Sequence, residues 1–291
     1  MGCDCPRTIP REKYKTFQPR RDRVNSLHRQ MALADSFDGF LVDLDGVVWI
    51  GREPVPGAAE ALRALTEEGK ELVFVTNNPG RPPATYAERL RLVGIEVADE
   101  RVVTAGVATA RFAADRVGTG ASAFVIGAPG LKEAAAEAGL ALLDGEAAHK
   151  ADAVLVSGHR DFDYEELLTA TMAIRRGAAL FATSRDPTLP MPDGPWPGTG
   201  AVLAAVETAS EKRAEIGGKP EPHLFEQARA LIPDAERVAM VGDRIASDIV
   251  GAQRAGLPGI LVLSGVSTRE DAARAEPPPD YVLDDLGGLL K

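Results

Sequence analysis

Asp43-Leu44-Asp45-Gly46 sets two carboxylates two residues apart. The apolar run before it, Phe40-Leu41-Val42, reads as a buried strand, so both acids fall at a strand's carboxyl end. Acids that close repel unless a cation or a shared proton offsets them. Gly46 allows a sharp exit and close approach of a ligand to the backbone. The spacing does not fit a calcium loop, which places its glycine sixth. A turn with solvated acids is the plain alternative.

Three further segments carry chemistry. Thr76-Asn77-Asn78-Pro79-Gly80 follows the apolar run 72–75 and offers a hydroxyl and amides to an oxyanion, although the same residues make ordinary turns. Gly217-Gly218-Lys219-Pro220 holds a lysine stiffly, suited to neutralising a phosphoryl group; a solvent-exposed loop lysine is the alternative. It is not a Walker loop, whose pattern occurs nowhere in the chain. Val241-Gly242-Asp243-Arg244-Ile245-Ala246-Ser247-Asp248 brings Asp243 off a strand end, where Mg2+ finds the carboxylate oxygens it prefers. Asp248 starts the next helix and fits an N-cap equally well.

The elements that must position these residues alternate regularly. Short apolar runs predict strands at 40–42, 72–75, 102–103, 124–126, 154–156, 180–182, 238–241 and 260–263. Helical patterns fall at 58–66, 84–93, 131–138, 164–176, 202–209, 222–231 and 247–255. Unbroken apolar strands separated by helices indicate α/β architecture, a doubly wound parallel sheet covered on both faces. Such a sheet binds ligands at the carboxyl ends of its strands, and each of the four segments lies at a strand end or a helix start. The Pro- and Gly-rich stretch 187–200 reads as a loop.

Composition narrows the function classes. The 291 residues include 33 basic and 43 acidic side chains, a net charge of −10. That argues against nucleic acid as the main partner, because phosphate neutralisation needs a basic surface. Two cysteines, Cys3 and Cys5, cannot build a disulfide framework and favour a reducing, cytoplasmic setting. No apolar run approaches the ~20 residues of a membrane span, and no secretory h-region follows Met1. Residues 1–35 carry eight basic residues against four acidic ones and read as a disordered basic arm. Met31, just before the first strand, would serve as an alternative start. Gly118-Thr119-Gly120-Ala121-Ser122-Ala123 imitates a dinucleotide fingerprint but precedes a strand instead of following one. His28, His149, His159 and His223 lack metal-site spacing, and His159 is as well suited to a surface as to a substrate contact.

Taken in order, the four segments resemble the haloacid dehalogenase (HAD) superfamily of aspartate-nucleophile phosphatases over residues 37–291. Asp43-Leu44-Asp45-Gly46 matches its first motif, Thr76 the second, Lys219 the third, and Gly242-Asp243 through Asp248 the fourth. The insertion between Val103 and Lys219 is similar to the large α/β cap of the type IIA branch. That branch holds phosphoglycolate and glycerol-phosphate phosphatases, pyridoxal phosphatase (chronophin) and bacterial 4-nitrophenyl phosphatases. Its wording recurs in Ala182-Thr183-Ser184-Arg185-Asp186-Pro187, Pro197-Gly198-Thr199-Gly200, Ala205-Val206-Glu207-Thr208-Ala209 and Gly242-Asp243-Arg244. Leu189 stands where pyridoxal phosphatases have histidine, which favours the phosphoglycolate or glycerol-phosphate type. Pro79-Gly80 replaces the Ser-Arg common after the paired asparagines, and His159 stands where the animal enzymes have tyrosine.

The resemblance implies a Rossmann-like core over 36–105 and 208–291 with an α/β cap inserted at 106–207. It implies Mg2+-dependent phosphomonoester hydrolysis. Asp43 would be the nucleophile and Asp45 the general acid and base. The metal would sit on Asp43, the backbone carbonyl of Asp45, and Asp243. Thr76 and Lys219 would bind phosphoryl oxygens, with Gly46, Asn77 and Asn78 at the phosphate or substrate. Asp248 would orient Lys219 or a metal-bound water. The expected partner is a small phosphorylated metabolite, with no nucleic acid or membrane, and a homodimer through the cap follows from relatives. The alternatives are pyridoxal phosphate or a nucleoside monophosphate as substrate, a non-catalytic phospho-ligand sensor, or partner binding through the basic arm.

Overall fold

The computed structural model describes residues 32–191 and 194–291. The basic arm, with Cys3, Cys5 and His28, lies outside the described residues up to residue 31. Its last residues enter the fold, where Leu33–Ser36 makes a 3-10 turn that buries Ala34.

The chain then runs through β1 (Gly39–Asp43), a short hairpin of β2 (Trp49–Ile50) and β3 (Glu53–Pro54), α1 (Ala58–Glu67), β4 (Glu71–Thr76), α2 (Pro83–Leu92) and β5 (Val102–Thr104). Next come α3 (Ala105–Val117), β6 (Ser122–Ile126), α4 (Pro129–Glu137), β7 (Ala141–Leu142), β8 (Ala153–Val156), α5 (Tyr164–Arg175) and β9 (Ala179–Ala182). A second hairpin, β10 (Thr188–Met191) and β11 (Gly194–Pro197), precedes α6 (Thr199–Ser210), β12 (Glu215–Ile216) and α7 (Pro222–Ala230). After β13 (Val238–Gly242), a π-helical turn (Ile245–Ile249) continues into α8 (Val250–Arg254), followed by β14 (Gly259–Val262), α9 (Arg269–Arg274) and β15 (Tyr281–Leu283).

Two parallel sheets result. The first has six strands in the order β15-β14-β13-β1-β4-β5, and the second five in the order β12-β9-β8-β6-β7. From β1 the first sheet grows toward β4 and β5 on one side and toward β13 to β15 on the other. The carboxyl end of β1 is therefore the switch point where such sheets open a crevice. The central strands β1, β13 and β14 of the first sheet are buried on both faces. Phe40, Val42 and Phe74 pack with Leu62, Leu65 and Leu90 of α1 and α2. Leu41, Val73 and Met240 pack with Leu224 and Phe225 of α7. Each fully buried Leu or Phe contributes roughly 1.5–3 kcal/mol.

The second sheet repeats this arrangement. Val154, Val156 and Leu180 face α5 and α6, while Val125, Leu155 and Phe181 face α3 and α4. Sequence periodicity misses α3. Its buried face is alanine, at 105, 108, 110, 113 and 114, which gives a weak apolar contrast. The usable signals are alanine's helix propensity and Thr104, whose Oγ1 accepts from Val107 N at 3.2 Å.

One expectation needs correction. The stretch 187–200 is not a plain loop, because β10 and β11 pair antiparallel within it, from Thr188 against Pro197 to Met191 against Gly194. Its prolines fit a two-stranded ribbon, where few ladder hydrogen bonds are needed. Residue 207, the expected end of the inserted segment, is followed by more of the second sheet. It lies inside α6, and β12 then extends the second sheet by pairing Glu215 and Ile216 with Phe181 and Ala182. The relaxed dinucleotide pattern at 118–123 is the turn from α3 into β6, with Gly118 and Gly120 at positive φ.

Candidate active site

Strand register brings the four segments together. Val42 of β1 lies beside Val241 of β13, and Asp43 lies beside Val75 of β4. Asp43 therefore ends its strand next to Gly242-Asp243 on one side and Thr76 on the other. Asp43, Asp243 and Asp248 each offer an oxygen within 4.8 Å of the others, all buried.

Lys219 enters this cluster from the second sheet. β12 leads through Gly217, whose N–H donates to Ala182 O at 3.0 Å, and Gly218 into Lys219. Lys219 Nζ lies 2.7 Å from Asp43 Oδ1 and 2.6 Å from Asp248 Oδ1. Its side chain is 2% exposed, so the solvated-lysine alternative is excluded. Gly218 has no room for a side chain, since a Cβ there would stand 2.2 Å from Thr183 O.

Three carboxylates face one ammonium, and burial opposes the charges of Asp43, Asp243 and Lys219. Burial pushes Asp43 well above the usual carboxylate range, against the pull of Lys219 and with the push of Asp248 and Asp243. Burial, then the Asp248 charge, lifts Asp243 to about 6 despite the hydrogen bond from Val266 N. Burial works against Lys219's charge, but Asp248 and Asp43 outweigh it and hold the ammonium above its ordinary range.

These residues fit a hard divalent cation. Asp243 Oδ1 is buried with no hydrogen-bond partner, while Oδ2 accepts from Val266 N at 2.8 Å. A Cβ on Gly46 or Gly265 would fall 2.3 or 2.0 Å from Asp243 Oδ2. The donors are all carboxylate oxygens, the chemistry Mg2+ prefers. A cation between Asp43 and Asp243 would return both to the charged form.

Asp45 stands slightly apart. Its Oδ1 accepts from Trp49 Nε1 at 3.0 Å, and no described residue donates to Oδ2. Burial raises Asp45 above the usual range, opposed by Trp49 and by the Arg89 charge. Gly46, at φ +86°, turns the chain, and Ser264 Oγ donates to its carbonyl at 2.7 Å.

The remaining expected residues divide. Thr76 is buried, and its Oγ1 accepts from Asn78 N at 3.1 Å. Asn78 Oδ1 accepts from Gly80 N at 3.0 Å, which shapes the turn. Asn77 is committed to the main chain of Lys219 and to Asp186 Oδ2, the latter at 3.3 Å. Asp248 Oδ2 accepts from Arg244 N at 2.9 Å, and its Oδ1 pairs by charge with Lys219 Nζ without hydrogen-bond geometry. His159 Nε2 is 2.8 Å from Glu166 Oε2 of α5, giving it a partner within the second sheet's layer. Periodicity and motif spacing did not single out Trp49, Asp186, Ser264 or Val266. Only Trp49 left a trace, four residues after Asp45.

An acid sugar phosphatase of Staphylococcus saprophyticus is 34% identical over 257 residues, spanning 88% of this chain and 98% of that protein. The chain belongs to the haloacid dehalogenase-like hydrolase family. The profile of that name matches residues 40–141, and a second, HAD-hydrolase-like profile matches 216–289. A glycerol phosphate phosphatase of Mycobacterium tuberculosis, solved with magnesium, is 36% identical with a TM-score of 0.83, covering 89% of this chain and 78% of that one. A 4-nitrophenylphosphatase of Thermotoga maritima is 34% identical with a TM-score of 0.81, covering 89% and 98%. The chain is an enzyme of the phosphatase branch of this HAD-like family. Among the described residues, no helix is long and apolar enough to cross a membrane.

Proposed function

We propose that this phosphatase hydrolyses a small phosphomonoester of the glycerol phosphate or phosphoglycolate kind, with Mg2+ as cofactor and Asp43 as nucleophile. One observation carries the reading. Lys219 is buried against Asp43 and Asp248, at 2.7 and 2.6 Å, beside the unpartnered Oδ1 of Asp243. A purely structural ion pair does not need a third carboxylate with a free oxygen.

Asp43, Asp243 and the Asp45 carbonyl hold the metal. When bound, Mg2+ offsets negative charge so that a carboxylate can approach a phosphate. Asp43 attacks phosphorus as the bond to the leaving oxygen breaks, giving an aspartyl-phosphate. Asp45 protonates that oxygen, then takes a proton from the water that attacks phosphorus and frees Asp43. Lys219 Nζ donates to Asp43 Oδ1 and pairs by charge with Asp248 Oδ1, leaving N–H capacity for an equatorial oxygen. Thr76 Oγ1 accepts its bond from Asn78 N, so its own proton is free for another.

The second sheet and its helices, from residue 106 through β12, act as a cap that excludes water and selects the leaving group. Gly130 at the start of α4 leaves no space for a Cβ, which would stand 2.6 Å from Pro79 O, so the cap rests on the 77–81 loop. The glycerol phosphate relative and Leu189 in place of histidine support the substrate class.

The test is a phosphomonoester panel containing glycerol 3-phosphate, phosphoglycolate, sugar phosphates, pyridoxal phosphate and nucleoside monophosphates, ranked by kcat/KM with Mg2+. Asp43→Asn is expected to lose several orders of magnitude on every substrate. Equal rates in wild type and Asp43→Asn would overturn the nucleophile. A top rank for pyridoxal phosphate would overturn the substrate class.

A further inference from the structure

The side chain that faces Asp45 comes from the β2–β3 hairpin. Trp49 is fully buried, and three contacts fix it. Its carbonyl accepts from Gly46 N at 2.7 Å, its N–H donates to Leu44 O at 3.2 Å, and the Arg89 guanidinium lies 3.8 Å above its ring. Arg89 is anchored in turn by a 2.6 Å bond to Gly51 O in the same hairpin. The indole N–H therefore points at Asp45 Oδ1 without freedom to leave, at 3.0 Å.

An indole nitrogen only donates. The oxygen that receives its hydrogen bond acts as acceptor, and because a carbonyl oxygen accepts better than an acid O–H, the neutral acid places its carbonyl at Oδ1 and its proton on Oδ2. We propose that Trp49 is the positioning residue for the general acid: its N–H assigns Oδ1 of Asp45 as the permanent acceptor and leaves Oδ2 as the proton-bearing atom aimed at the leaving oxygen. This rests on Asp45 being the acid and base of the proposed mechanism. In the first step the Oδ2 proton passes to the leaving oxygen as its bond to phosphorus breaks. In the second, Oδ2 takes a proton from the attacking water. Oδ1 keeps the indole bond throughout, so the carboxyl group does not turn between steps.

The test uses leaving groups that differ in their need for a proton. Glycerol 3-phosphate expels a basic alkoxide, whereas 4-nitrophenyl phosphate expels a stable phenolate. General acid catalysis is worth about 10²–10⁴-fold. In Trp49→Phe, the ratio of kcat/KM for 4-nitrophenyl phosphate over glycerol 3-phosphate is expected to rise by about 10- to 100-fold, part of that range. An equal loss on both substrates, or no loss on either, overturns the proposal. If Trp49→Phe does not fold, 3-benzothienylalanine placed at position 49 keeps the ring shape and replaces N–H with sulfur, and the same ratio applies. Asp45→Asn separates the two readings. If it leaves the ratio unchanged, Asp45 is not the acid and the mechanism fails. If it raises the ratio while both position-49 variants leave it unchanged, only the role of Trp49 fails.

Discussion

Asn77 grips both peptide groups of Lys219. Its Oδ1 accepts from Lys219 N at 2.9 Å, and its Nδ2 donates to Lys219 O at 3.0 Å. The same Nδ2 lies 3.3 Å from Asp186 Oδ2 in the loop after β9. An asparagine at the end of a core strand thus fixes a lysine that arrives from the other sheet. Asn77→Ala is expected to lower kcat about 10- to 100-fold, less than the about 10²–10³-fold of losing an oxyanion donor outright, with little change in KM. A raised KM at constant kcat would instead place Asn77 on the substrate.

Lys219→Met removes the cation from two buried carboxylates. Breaking one side of a buried pair costs about 3–5 kcal/mol, so the variant is expected to unfold at lower denaturant than wild type. Mg2+ should restore part of that loss, because a divalent ion takes over the neutralisation. Denaturant melts with EDTA and with Mg2+ give the comparison, and an equal deficit in both would remove the cation from the cluster.

Metal binding is measurable without turnover. At a hundred times its dissociation constant a ligand stabilises the fold by about 2.7 kcal/mol, so Mg2+ is expected to raise the Tm of wild type. Asp243→Asn should abolish the shift. Gly265→Ala should abolish it as well, since its Cβ would stand 2.0 Å from Asp243 Oδ2. A full Mg2+ shift in both variants would place the ion elsewhere.

Glu207 gives a pH signature away from the chemistry. Burial alone would raise it, but Arg185, the Ala214 N–H and Arg213 hold it down from 4.5 to about 2. A depressed acid contributes stability that is fully present above its unfolded value and is lost as pH falls through its folded one. Glu207→Gln is therefore expected to be destabilised at pH 7, by about 1–3 kcal/mol for a lost charged hydrogen-bond set. The gap should close between pH 4.5 and about 2. A gap constant over that window would show that Glu207 acts through packing alone.

The sequence by itself determined eight strands of the two parallel sheets and the four segments that form the candidate site. Uninterrupted runs such as Phe40-Leu41-Val42 and Val238-Ala239-Met240-Val241 can only be buried on two faces, and the acids follow them directly. What it left open was each side chain's partner. Asp248 read equally as an N-cap, and Lys219 as a solvated loop lysine, until β1–β13 register and the path from β12 brought them within 2.6 Å. The β10–β11 hairpin and α3 were obscured because proline and alanine give weak periodic signals. Trp49 and Asp186 acquired their roles only in three dimensions. Hydrogen bonds such as Asn77 to Asp186, 109 positions apart, depend on how two sheets meet, and local spacing carries no record of that.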